Sequence, residues 1–224
     1  MEKFITNFDT TAELAAFSAT TDFGRPHVSL TEDDGKVHVH YFRYDPYNNG
    51  HKYVNLGLPS GTKWATMNVG ASSETDYGNY YQYGKGAAQY AATSGDSIYS
   101  GTEDPLAASA DTAVQVWGGQ WHMPTREQIQ ELTANTTYKW VTNYKGSGKN
   151  GGTFTAKNGA VLFFPAAGSW SDGSKYDVGD YGFYWASSSP DDSGRAWMLW
   201  SDGGSVAVGD SPRRNGLAVR PVVG

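Results

Sequence analysis

The sequence predicts an α+β protein in which short strands outnumber helices, with a small N-terminal appendage ahead of one larger domain. Three observations predict it. Short apolar or alternating runs recur between Gly, Pro, Asn and Asp turn signals along most of the chain. A single segment, residues 125–133, reads convincingly as a helix. The composition also shifts near residues 44–50, and four of the five His (His27, His38, His40, His51) lie before that break or at it. A length of 224 residues suits one large domain, or one domain with a short appendage, and can bury a core without covalent staples.

The elements follow in chain order. Thr10 and Glu13 have capping-box spacing before Leu14 and Phe17, which predicts a short helix. His27-Val28-Ser29-Leu30 and Lys36-Val37-His38-Val39-His40-Tyr41 flank Asp34-Gly35, a hairpin signal. Residues 44–50 read as a turn or linker. Residues 53–58 and 63–69 look like strands around a Pro59-Ser60-Gly61 turn. Residues 84–112, rich in Ala, Ser, Gly and Thr, read as a long surface loop. Thr125 and Gln128 form a second capping-box pair after Pro124, and Ile129 with Leu132 supplies one apolar stripe. Residues 143–153 read as a Gly/Lys/Asn loop. Val161-Leu162-Phe163-Phe164 is apolar throughout and predicts a buried strand. Short strands are expected at 183–187, 196–200, 205–208 and 217–222. Trp-Ser-Asp-Gly occurs at 170–173 and again at 200–203. It fits a strand-end Trp followed by an Asp-Gly turn, and it also fits a paired sugar-stacking site.

Composition bounds the function. Aromatics make up 14% of the chain, with 15 Tyr, 8 Trp and 28 Gly, while charged residues are only 18%. This is the palette of binding loops, and equally that of a loop-rich β protein. The net charge is −6, and Arg213-Arg214 is the only adjacent basic pair, which argues against nucleic acid. There is no Cys, so disulfides, thiolate zinc sites and thiol catalysis are excluded. No apolar stretch approaches a membrane span. The opening residues, from Met1 to Asp9, lack a charged-then-apolar leader. Either the chain is not exported by the usual route or its leader has been removed.

Three segments carry a family resemblance. The first is Val54-Asn55-Leu56-Gly57-Leu58-Pro59-Ser60-Gly61-Thr62-Lys63-Trp64-Ala65-Thr66-Met67-Asn68-Val69-Gly70 with Asp76-Tyr77-Gly78-Asn79-Tyr80-Tyr81. The second is Trp117-Gly118-Gly119-Gln120-Trp121-His122-Met123-Pro124-Thr125. The third runs from Phe164-Pro165-Ala166-Ala167-Gly168 through Tyr184-Trp185-Ala186-Ser187-Ser188 to Val219-Arg220-Pro221-Val222. Over residues 53–223 the chain resembles the Fibrobacter succinogenes major paralogous domain of gut Bacteroidetes and their phages. That family is similar to the formylglycine-generating-enzyme branch of the C-type-lectin-like fold. The resemblance therefore implies that fold for residues 51–224, with residues 1–50 as a small attachment or oligomerisation segment. His122 stands where the family usually has Arg, and Gly216-Leu217-Ala218-Val219-Arg220 fills the closing tail. This substitution puts one core ion pair in doubt.

The same fold carries the variable proteins of diversity-generating retroelements, and residues 185–218 resemble their variable region. Strand residues Trp197, Leu199, Val206 and Val208 alternate with residue types that adenine mutagenesis of Asn codons yields. The resemblance implies a ligand-reading surface at Asp192, Gly194, Arg195, Ser201, Asp202, Ala207, Asp210, Ser211, Arg213 and Asn215, with Pro212 among them. An ordinary loop-rich β segment fits the same residues. Residues 26–38 resemble openings of Bacteroides phage and prophage structural proteins. The implied role is a non-catalytic recognition module on a phage tail or bacterial surface. Its ligand would be a host surface glycan or protein, with the N-terminal segment docking to a larger particle or to further copies. A secreted or fimbrial adhesin is the alternative, and an enzyme of unknown type on this fold a lesser one.

No catalytic residue, cofactor or metal site is assigned. The sulfatase-modifying relatives need active-site Cys, which this chain lacks. His122 is the one His well inside the body, at a helix entrance where packing suits it better than a triad. His38 and His40 would share a strand face, but two ligands do not make a metal site. Asp191-Asp192 and Asp210 are Ca²⁺-capable residue types, for which a solvated loop is the simpler account.

Overall fold

A computed structural model describes residues 3–7, 27–33, 36–42, 46–87, 97–190 and 194–224, with side chains from residue 46 onward. The chain divides into two compact units, Met1–Pro46 and Tyr47–Gly224.

In the first unit, β1 (Lys3–Asn7), β2 (His27–Asp33) and β3 (Lys36–Phe42) form an antiparallel sheet in the order β1-β3-β2. Asp33 pairs with Lys36, so two residues join β2 to β3, the spacing that the hairpin signal at residues 34–35 calls for. β1 was not expected, although Lys3-Phe4-Ile5-Thr6-Asn7 has the composition of a short strand. The helix expected after Thr10 lies outside the described residues.

The second unit opens on β4 (Tyr47–Asn48) and β5 (His51–Val54), an antiparallel hairpin. Its turn, Asn49-Gly50, has φ of 43° and 78°, the left-handed pair of a type I′ turn. Residues 47–50 are thus part of the larger unit, and the division falls at 46/47. Beyond Val54 the chain leaves the sheet, but Leu56 and Leu58 still enter the core. β6 (Lys63–Ala65) lies between β5 and β17 (Val222–Val223) in a sheet ordered β17-β6-β5-β4.

Two α-helices are present among the described residues. α1 (Thr112–Trp117) interrupts the stretch expected to be loop. Its N-cap, Asp111, is buried and accepts from the backbone N–H groups of Ala113, Val114 and Met123. Burial pushes the Asp111 carboxyl above the usual carboxylate range, against the opposing pull of those donors. α2 (Arg126–Asn135) starts where the sequence places it. Thr125 accepts from Gln128 N–H while the Gln128 side chain accepts from Thr125 N–H.

The remaining strands are β7 (Tyr81–Gln82), β8 (Thr136–Val141), β9 (Gly151–Ala156), β10 (Val161–Pro165), β11 (Ser169–Ser171), β12 (Ser174–Tyr176), β13 (Gly182–Trp185), β14 (Arg195–Ser201), β15 (Val206–Pro212) and β16 (Gly216–Leu217). They form three antiparallel sheets, β10-β9-β8, β12-β11-β16-β7 and β13-β14-β15. The start of β9 falls within the loop expected at residues 143–153, because it begins Gly151-Gly152. These positions are small because of close approaches: a Cβ on Gly151 would meet Phe164 O at 2.2 Å, and one on Gly152 would meet the Tyr138 ring at 2.3 Å.

The core is two clusters separated by shared strands. Tyr184 joins Trp64, Ile129, Leu132, Phe154, Phe164 and Leu199 in one, while its neighbour Trp185 joins Tyr81, Tyr83, Trp117, Trp121, Met123 and Leu217 in the other. The same switch of side occurs at Trp64/Ala65, Leu217/Ala218/Val219 and Val222/Val223. Successive strand residues point to opposite faces, and here both faces are covered, so these strands read as apolar runs instead of alternating ones. Trp185 is the hinge of the second cluster. Its indole N–H donates to Tyr81 O at 2.8 Å and its ring meets Tyr83 edge-on at 5.4 Å. Trp185→Ala is expected to cost roughly 3–5 kcal/mol in denaturant unfolding, the range of aromatic deletions from cores. A chain lacking residues 1–46 is expected to retain one cooperative thermal transition, since the second unit holds both clusters.

Candidate functional site

β14 and β15 pair over their full lengths, from Arg195 opposite Pro212 to Ser201 opposite Val206. The register and the pleat sort their side chains. Trp197, Leu199, Val206 and Val208 face the first cluster, against which α2 also packs. Ala196 and Met198 face the second cluster. Trp200, Ala207 and Gly209 share the side of Met198, and all four stay partly exposed. Trp200 lies across Gly209, whose Cβ, if present, would sit 2.9 Å from Trp200 Cδ1 and 3.8 Å from Met198 Cε. Phe183 on β13 pairs with Trp200, is half-buried, and stacks with exposed Tyr181 at 5.6 Å between centroids. The result is a partly exposed strip of large apolar side chains, Tyr181, Phe183, Met198 and Trp200, beside Ala207 and Gly209, in which Phe183 and Met198 also pack against the second cluster.

The residues expected to read ligand do not collect on this strip. Asp192 lies outside the described residues. Ser201, at 0% exposure, shares the parity of Leu199 and faces inward beneath β13, where its Oγ would lie 2.8 Å from a Cβ on Gly182. Ser211 is buried and accepts from Asn215 Nδ2 at 3.0 Å. Arg213, 2% exposed, donates from Nε to Arg195 O at 3.0 Å and from Nη1 to Tyr99 O and Gly101 O at 3.2 and 3.0 Å. Its guanidinium also lies near the Tyr83 and Tyr99 rings. The expectation of one exposed cluster is therefore corrected for these three. Ser201 shares the inward parity of Leu199, Ser211 stands opposite buried Ala196 on the side of the second cluster, and Arg213 fastens the 97–101 segment to the end of β14.

The others divide between the ends of the hairpin. At the tip, Asp202 Oδ1 accepts from Gly204 N at 2.8 Å and Ser205 N at 2.7 Å, so its carboxylate shapes its own turn. Tyr138 Oη donates to Asp202 O at 2.6 Å, and burial raises this phenol to about 12. At the far end, Arg195 pairs with Asp210 on the α2-facing side, an exposed pair worth little to stability. Gly194, at φ 77°, accepts from Arg213 N–H through its carbonyl. Ala207 alone lies on the open strip. Arg126, the first residue of α2, sits over the Trp197 ring at 4.1 Å, so Trp197 is a support between helix and sheet.

The sequence reading missed Tyr181, Phe183, Met198 and Trp200 as surface. The available signal was the register itself: bulky residues on β14 stand opposite Ala207 and Gly209, and a glycine within a strand marks a close approach.

A family model described as a domain of unknown function (DUF8237) matches residues 133–222, less than half of the chain. The match runs from the last turn of α2 to β17 and contains the whole β13–β15 sheet. No curated protein and no solved structure matches the chain.

Arg213→Ala is expected to release the loop it holds. Hydrogen–deuterium exchange should rise selectively over residues 97–106, with α2 unchanged.

Proposed function

We propose that residues 51–224 form a C-type-lectin-like recognition module that binds a bacterial surface glycan or protein, as the receptor-binding protein of a phage or prophage particle. The long motif resemblance over residues 53–223 supports the fold and the setting. The observation that carries the binding role is the open strip on β13–β15. Trp200, Met198 and Phe183 are held partly exposed on a sheet whose reverse side is core. Rigid aromatics lose little entropy on contact, and such residues dominate binding energy where they can be fully desolvated by a partner. Of the polar groups expected to vary, Asp202 at the tip and Asn215 beyond the far end would supply directional contacts of a rim, whereas Arg195 and Asp210 lie on the opposite, α2-facing side of the hairpin. The C-terminal segment would then combine a constant apolar floor with a changeable border. The unit Met1–Pro46 serves in this reading as the attachment or self-association element.

Binding of the labelled full chain to intact gut Bacteroidetes cells, followed by flow cytometry, tests the proposal. Trp200→Ala together with Ala207→Glu should abolish cell binding and shift the thermal midpoint little, because both sites are partly exposed. Unchanged cell binding by this variant would refute the assignment. Gly209→Val should displace Trp200, seen as a shift of its fluorescence emission, and weaken binding in parallel.

A further inference from the structure

A second site lies apart from the β13–β15 strip, and it absorbs the first of the two Trp-Ser-Asp-Gly sequences. Asp172-Gly173, with φ of 47° and 78°, closes the β11–β12 hairpin and sets Trp170 opposite Lys175. The other edge of β11 pairs with β16, Trp170 standing opposite Gly216. Tyr80, just before β7, comes to 6.0 Å from the Trp170 ring at an interplanar angle of 50°. Its hydroxyl donates to Ala167 O, which anchors the ring from behind, and burial with neighbouring Tyr77 raises this phenol to about 12. Lys175 Nζ stands 5.1 Å from the Tyr80 centroid and 5.8 Å from that of Trp170. Gly78, Asn79, Tyr80, Trp170 and Lys175 line an open depression of about 240 Å³.

We infer that this depression is a subsite for one carboxylate-bearing sugar unit, of the uronic acid type. Three features converge on that chemistry. The half-buried Trp170 indole offers apolar area to the C–H face of a pyranose, and the Tyr80 ring, 2% exposed, backs it from the core side. Asn79 offers amide hydrogen bonding for ring hydroxyls. Lys175 is the only charged group of the lining, and its ammonium is held at the pocket by the faces of two rings. In a protein of net charge −6, a lone ammonium over two aromatics favours an anionic group in this pocket, where a neutral sugar would leave the charge unused. A few placed polar groups on an aromatic floor is the usual construction of small-ligand sites. The size suits a single ring, so a longer glycan would continue across the surface from this unit.

The subsite does not rest on the surface-recognition reading above, and the two fail separately. The test titrates the full chain with a galacturonate trimer and, in parallel, a neutral galactose trimer, reading Trp fluorescence and ¹H–¹⁵N chemical shifts. Saturable binding of the acidic trimer is expected, with shifts in the resonances of Trp170, Lys175 and Asn79. The neutral trimer should bind about tenfold or more weakly, the scale of one charge-assisted contact. Lys175→Gln, at an exposed position, should remove the preference for the acidic trimer, and Lys175→Arg should restore it. Affinity should fall with added salt. Trp170→Ala should abolish binding of both. Trp200→Ala should leave the titration unchanged, separating this subsite from the β13–β15 strip. Equal affinity for both trimers would overturn the anionic assignment. Absence of binding, or shifts that avoid Trp170 and Lys175, would overturn the subsite itself.

Discussion

The larger unit is organised around one buried cation. Arg220 is 0% exposed, and burial lowers its guanidinium to about 10, which leaves it charged at neutral pH. A charge buried in this way is costly unless its donors are met. Nε donates to Asn68 Oδ1 at 2.7 Å, Nη1 donates to Ala65 O at 3.0 Å, and the Phe164 ring lies 4.6 Å from the guanidinium carbon. Asn68 is held in turn by its Nδ2 donating to Tyr77 O. Neutral acceptors meet Nε and Nη1 and a ring face lies over the guanidinium, while Nη2 has no hydrogen-bond partner among the described residues; His122 pairs through its backbone with Val222.

The position of Arg220 explains why so much of the fold meets at the C-terminal tail. Val69 N–H donates to Val219 O, Ala65 N–H to Pro221 O, and Trp185 N–H to Ala218 O. The tail therefore ties the β6 region, the loop after it and β13 into one body, with the two core clusters on opposite sides. This frame leaves the β14–β15 hairpin fixed along its length. One side of the hairpin lies against the first cluster and α2, and on the other Ala196 and Met198 lie against the second cluster, so the hairpin stays partly open around Trp200, Ala207 and Gly209.

Conformation that closes over a few residues was legible in the sequence. Thr125 and Gln128 announce the start of α2. Asp34-Gly35 announces the β2–β3 turn, and the Asp-Gly of residues 172–173 the β11–β12 turn, because capping and left-handed φ depend on nearest neighbours. α1 escaped notice, although Asp111 is a proper N-cap, because the helix is short and surrounded by Ala, Ser and Thr. β9 escaped because Gly151 and Gly152 answer to Phe164 and Tyr138, residues distant in sequence.

Sidedness was legible only in part. Residues 197–200 are apolar throughout, so the sequence does not say which parity faces solvent; that depends on what packs on each side. Ser201 and Ser211 look like surface polar residues and are buried. Arg213 looks like a ligand-reading arginine and is a clamp on the 97–101 segment. Trp170 and Lys175 share one local hairpin, but Tyr80 comes from a distant stretch, and only the pairing of β16 with both β11 and β7 brings it to them. The sequence by itself determined the local turns, caps and strand periods, because these are set by interactions over a few residues. The tertiary structure alone decided which faces are open and which aromatics meet, because those outcomes depend on contacts between residues far apart in the chain.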